Sequence, residues 1–271
     1  SPQSILFCRS KDPEREIWEG FHHGPDAARS KFGFDAAFPI AELDNKLTEL
    51  MGNQPALYHP LGAHAVWDDR ILELRSRVQA QARSGITAPN EIHDVRMQLD
   101  EMRLIKDQHE LATMRRAAGI SAAAQVRAMR ATRPGRMEYE IEAELLHEFR
   151  HSGAQGPAYT SIVAGGANAC VLHYVGNSAA LKDGDLLLID AACEVDGYAA
   201  DITRTFPVNG RFSAAQKDVY EMVLAAQAAA IEAARPGSHW NQPHDAALHV
   251  IAQGLIDLEL CKGTIDAVLE S

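Results

Sequence analysis

Asp190 and Asp201 are the residues whose type and spacing point most directly to chemistry. They flank a short turn in the stretch LLLIDAACEVDGYAADITRTF, residues 186–206. Asp196-Gly197 between two apolar, β-rich runs is the strongest short-range hairpin signal. A two-residue loop pairs Val195 with Tyr198, Ala192 with Asp201 and Asp190 with Thr203. Side chains alternate along a strand, so both acids then share one face as diagonal neighbours, expected within about 6 Å of each other. Two bare carboxylates so close repel and resist ionising together. Divalent cations remove that conflict, and two of them about 3.5–4 Å apart can share such a pair. A loop one residue longer or shorter would send the acids to opposite faces. Taken singly, an aspartate at a strand end is most often a turn or cap residue, so the weight falls on the pair.

The elements that must position this pair can be read outward from it. Strands are expected at Thr160–Ala164, Cys170–Tyr174, Asp185–Val195 and Tyr198–Val208. Asp107 is placed to cap an Ala-rich helix running to about Thr132, where Arg133-Pro134-Gly135 stops it. A second helix, roughly Glu138 to His151, buries Ile141, Leu145 and Phe149, and Gly153 supplies a left-handed residue after it. Ser213 then caps another Ala-rich helix ending in Arg235-Pro236-Gly237, followed by a helix at about 243–258. Helix, Arg-Pro-Gly, helix thus occurs twice, which implies a pseudo-two-fold domain. The second copy has its helices but reaches Ser271 without strands, so the chain reads as cut short, with sheet edges left unpaired near Asp190 and Ile202. Its start, Ser1 to Phe7, has no basic segment or long apolar core of a signal peptide and reads like the middle of a strand.

Residues 1–104 look like a separate α/β unit. Short strands are expected at Ser4–Cys8 and Pro55–Tyr58, with helices at about 40–51, 65–83 and 91–103. The domains expected are therefore 1–104 and 105–271.

Composition narrows the function classes. The chain has 271 residues, 46% apolar and 23% charged, the balance of an ordinary globular protein. Net charge is −11 with the basic residues scattered, which leaves no electrostatic footprint for nucleic acid or an anionic membrane. No stretch approaches the roughly 20 apolar residues of a membrane helix. Cys8, Cys170, Cys193 and Cys261 match no zinc or redox spacing, and few, scattered cysteines suit a reducing cytoplasm. Cys193 reads as a small buried side chain.

The residues at 159–174 (YTSIVAGGANACVLHY), 183–190 (DGDLLLID) and 197–210 (GYAADITRTFPVNG) resemble the Xaa-Pro aminopeptidases of the pita-bread metallopeptidase family. The likeness extends back through Glu101-Met102-Arg103-Leu104 to Glu16-Ile17-Trp18. It implies an α+β pita-bread catalytic domain, here with an incomplete second half, after a partial α/β N-terminal domain. It also implies removal of an N-terminal residue preceding proline, at a site holding two divalent metal ions, Mn²⁺ foremost. In that family two aspartates, one histidine and two glutamates hold the metals. The aspartates fall on Asp190 and Asp201; the other ligands are expected beyond this chain, since His239, His244, His249, Glu259 and Glu270 stand in helical sequence. With two ligands only, the 271-residue chain alone is expected to be inactive.

The same resemblance puts a substrate-contacting histidine at His173, one that steadies the reacting carbonyl or leaving nitrogen, and a tyrosine reaching the substrate at Tyr159. Trp18 and Arg83 match positions through which a neighbouring subunit's N-terminal domain helps close the site, so a homo-oligomer is expected. Read without the family, His173 is a satisfied core or surface residue, Tyr159 a buried phenol that caps a network, Trp18 a packing residue and Arg83 a solvated helix end. Thr203, on the face of Asp201 and opposite Asp190, is placed to orient a ligand, although ordinary β-propensity explains a threonine there too. An Xaa-Pro dipeptidase, a methionine aminopeptidase and a metal-free pita-bread hydrolase or binding protein stay open. The N-terminal unit argues against the second, and the retained aspartates against the last.

Overall fold

A computed structural model describes residues 3–270, in two compact units that divide between Ile105 and Lys106. The first carries β1 (Ile5–Cys8), α1 (Pro13–Glu19), α2 (Gly24–Phe32), β2 (Ala36–Pro39), α3 (Leu43–Met51), β3 (Ala56–His59), α4 (Ala65–Gln79), β4 (Glu91–Asp94) and α5 (Arg96–Leu104). β1 pairs with β2 and β3 with β4, both in parallel. Parallel neighbours need a crossover between them, and α1 with α2, then α4, supply it. Met51, Leu74 and Val78 form its buried core, with Leu47, Leu57 and Ile71 against them.

Residues 91–94 are a strand and not the start of the expected helix. Ile92 registers with Leu57, and that pairing outweighs the helical pattern of the residues that follow. The expected helix at 40–51 opens with a 3₁₀ turn, Ile40–Glu42, and that at 65–83 ends at Gln79, with a separate 3₁₀ turn at Ala82–Ser84. The short helices α1 and α2 and strand β2 were not foreseen.

The second unit contains α6 (Gln108–Ala131), α7 (Glu138–His151), β5 (Gly156–Pro157), β6 (Ile162–Gly165), β7 (Leu186–Val195), β8 (Tyr198–Pro207), α8 (Ala214–Ala233), α9 (Gln242–Asp257) and α10 (Ile265–Leu269). Asp107 and Ser213 both close capping boxes, with Glu110 and Gln216, satisfying backbone donors the first helical turn leaves free. The two Arg-Pro-Gly stops share a backbone feature: Gly135 and Gly237 both sit at φ +89°, a left-handed region that favours glycine. α6 turns Ala117, Ala124 and Ala128 onto the sheet, and α7 adds Ile141, Leu145 and Phe149. Small alanines let the helix lie close to the strands.

Strand β7 is the centre of the sheet. β5 and β6 pair antiparallel with one of its edges and β8 with the other; among the described residues β8 pairs only with β7. Its odd-numbered residues, Leu187 through Val195, join the helix-side core. Asp190 therefore belongs to the opposite face. No strand forms at Cys170–Tyr174, contrary to expectation. That stretch is a 3₁₀ turn, Gly166–Cys170, followed by irregular chain, whose backbone bonds close locally, Val171 N–H to Asn168 O and Tyr174 N–H to Val171 O.

Candidate metal centre

The β7–β8 hairpin has the register expected of a two-residue loop: Val195 faces Tyr198, Ala192 faces Asp201 and Asp190 faces Thr203. Asp196 and Gly197 both take positive φ, +49° and +81°, the geometry of a type I′ turn whose twist matches that of the strands. Asp190 and Asp201 are thus diagonal neighbours on the sheet face turned away from α6 and α7, and Thr203 shares that face. From below, Gln125 of α6 donates its amide to the carbonyl of Ile202 at 2.7 Å, tying down the strand beside Asp201.

Tyr159 reaches the pair through a break in the strand on the other side of β7. Pro157 registers with Cys193 and Ile162 with Asp190, so four residues, 158–161, stand against only Ala191 and Ala192. Such an insertion bends a strand and re-aims its side chains. Here it turns the phenol over the hairpin, where its hydroxyl donates to Asp190 Oδ1. Burial, reinforced by both carboxylates, pushes the phenol far above its ordinary value. Tyr159 therefore remains a protonated donor to Asp190, with the Asp201 carboxylate nearby.

Paired carboxylates on one face are the donor chemistry of a hard divalent cation. Asp190 and Asp201 fit part of such a ligand set; among the described residues no group of three His, Cys, Asp or Glu could hold a metal ion. His173 lies in the turn after the 3₁₀ segment, with its imidazole exposed. Trp18 and Arg83 belong to the first unit. Trp18, on α1, is 88% exposed and not a packing residue there; Arg83 lies exposed in the 3₁₀ turn.

The matching families bear on what this arrangement is. Residues 112–265 match the metallopeptidase family M24, and residues 1–58 match the aminopeptidase P N-terminal domain. The chain belongs to metallopeptidase family M24. It is 44% identical to the Xaa-Pro aminopeptidase of Haemophilus influenzae over 99% of this chain and 60% of that protein. The Escherichia coli Xaa-Pro aminopeptidase is 41% identical over 98% of this chain and 60% of its own length. Among solved structures, aminopeptidase PepP of Pseudomonas aeruginosa superposes with a TM-score of 0.96 at 49% identity, covering 98% of this chain and 60% of that one. Proline aminopeptidase P II from Yersinia pestis gives 0.94 at 43%, covering 98% and 61%. The chain thus spans about 60% of the length of the relatives it matches, and its M24 domain has their α+β pita-bread fold.

One buried acid of this M24 domain escaped the sequence reading. Glu138, the first residue of α7, is fully buried. Its Oε1 accepts from Gly165 N–H at 2.8 Å and Asn168 Nδ2 at 3.0 Å, and its Oε2 from the Tyr174 hydroxyl and Ala179 N–H, both at 2.8 Å. Burial opposes its charge, but these four donors outweigh it and hold the carboxyl below its ordinary value of 4.5. In sequence, an acid in the first turn of a helix looks like an ordinary dipole partner, and nothing in its spacing separates the two roles.

A depressed pKa means that Glu138 contributes its stabilisation above the unfolded value near 4.5 and loses it as pH falls through the lower folded value. Glu138→Gln should accordingly lower the urea midpoint strongly at about pH 7 and progressively less toward about pH 3. A midpoint difference that is constant, or grows in acid, would contradict the charged state assigned to Glu138.

Proposed function

We propose that the protein is an Xaa-Pro aminopeptidase, removing the N-terminal residue of peptides whose second residue is proline. The observation that carries this reading is the hairpin register, which puts Asp190 and Asp201 side by side beneath one tyrosine hydroxyl. The printed names of the relatives support the substrate class.

Asp190 and Asp201 would hold two divalent cations, oxygen ligands suiting Mn²⁺ among the hard ions and the family likeness favouring it; when bound they supply water activation and polarisation of the scissile carbonyl. Thr203, opposite Asp190, would steady the carboxylate across from it. Tyr159, whose hydroxyl donates to Asp190, would orient that carboxylate and reach the substrate. His173 would support the reacting carbonyl or the leaving prolyl nitrogen through its ring N–H. Trp18 and Arg83 contribute from the first unit of a neighbouring subunit in a homo-oligomer. No helix of the described residues is long and apolar enough to cross a membrane, and four free cysteines accord with a cytoplasmic setting.

The test is cleavage of a short Xaa-Pro-Xaa peptide and of an Xaa-Pro dipeptide by the full-length gene product with Mn²⁺. Release of the first residue from the longer peptide, stopped by a chelator, is expected. Cleavage of the dipeptide alone would favour a dipeptidase, and turnover indifferent to chelation would remove the metal reading.

A further inference from the structure

The four donors that Glu138 gathers come from residues 165, 168, 174 and 179, the two ends and the middle of the segment that carries His173. The segment is braced again by Asn177, buried and at φ +41°. Its amide nitrogen donates to Ser161 O at 2.8 Å and Glu142 Oε2 at 3.0 Å, while its oxygen accepts from Val163 N–H at 3.0 Å. Tyr174 is the internal strut: its hydroxyl donates to Glu138 and accepts from Asn168 at 3.1 Å. Its ring packs so closely on Gly176 that a Cβ there would lie 3.3 Å from it.

We propose that Glu138 and Tyr174 are positioning residues that fix the backbone on either side of His173 and so place its imidazole for the reaction. This rests on the role given to His173 above. The imidazole is exposed, and Leu172 before it is 90% exposed. Its location is therefore set by its anchored neighbours and not by packing of its own ring. The buried charge is stabilised only because all four donors meet it. What the carboxylate adds over an apolar side chain is direction: four acceptor positions that only one path of the loop satisfies.

The test is a double-mutant cycle in the full-length gene product with Mn²⁺, joining Tyr174→Phe to His173→Ala. Amide hydrogen exchange is read across residues 166–176 in parallel. Tyr174→Phe keeps the ring and removes one donor; it should cost about ten- to a hundredfold in kcat with KM little changed, and speed exchange in 166–176 but not in β7. In the His173→Ala background the same change should cost nothing further. Equal loss in both backgrounds, or unchanged exchange and kcat in Tyr174→Phe, overturns the proposal. A fully active His173→Ala instead overturns the role of His173 itself, so the two failures are distinguishable. Glu138→Gln should act in the same way where it folds, and Tyr174→Phe decides the matter where it does not.

Discussion

Replacing Asp190 or Asp201 by alanine is expected to lower the full-length protein's cleavage of an Xaa-Pro peptide by at least about a thousandfold, since metal-based charge stabilisation is worth several kcal/mol and about 1.4 kcal/mol is tenfold. The two acids are diagonal on one face, so a cation between them draws on both, and removing either halves the protein's share of charge at that point. Each variant should also lose bound Mn²⁺ on dialysis, measured as metal per chain, while keeping its secondary structure. The fold should tolerate the change because Asp201 is exposed and Asp190 only half-buried. Measured alone, the 271-residue chain should bind Mn²⁺ weakly, because its described residues offer two carboxylates and no third ligand beside them. An active, metal-replete Asp190→Ala protein would remove the hairpin from the chemistry altogether.

The acids were legible in the sequence because a two-residue turn leaves no freedom. Asp196-Gly197 selects the I′ turn, the turn sets the register, and the register sets the face. Helix ends were equally readable where a side chain caps its own backbone, as at Asp107 and Ser213, or where Arg-Pro-Gly stops the chain. All of these are interactions within a few residues.

What could not be read depends on partners distant in sequence. Residues 91–94 become a strand because 56–59 lie beside them. The insertion at 158–161, which brings Tyr159 over the carboxylates, is visible only once β5 and β6 are both paired to β7. The loop carrying His173 looked like a strand since Cys170-Val171-Leu172 is apolar and β-branched in part. Its true path is dictated by Glu138, whose four donors come from residues 27 to 41 positions away. No local pattern encodes such a convergence, so Glu138 stayed hidden in the sequence.

His173→Ala separates the loop from the metal. The expected result is a fall of about a hundredfold or more in kcat, the scale of losing one donor to a developing oxyanion, with KM close to that of the unaltered protein. A group that engages the tetrahedral centre acts more strongly in the transition state than in the bound substrate, so its loss appears in kcat. Bound Mn²⁺ should be unchanged, in contrast to the aspartate variants. Thermal stability should hold too, because an exposed side chain outside the core typically shifts stability by no more than about 0.5 kcal/mol; a loss of rate therefore cannot be ascribed to unfolding. A raised KM with normal kcat would make His173 a ground-state binding residue. Loss of metal would make it a ligand and force a different assignment of the site around Asp190 and Asp201.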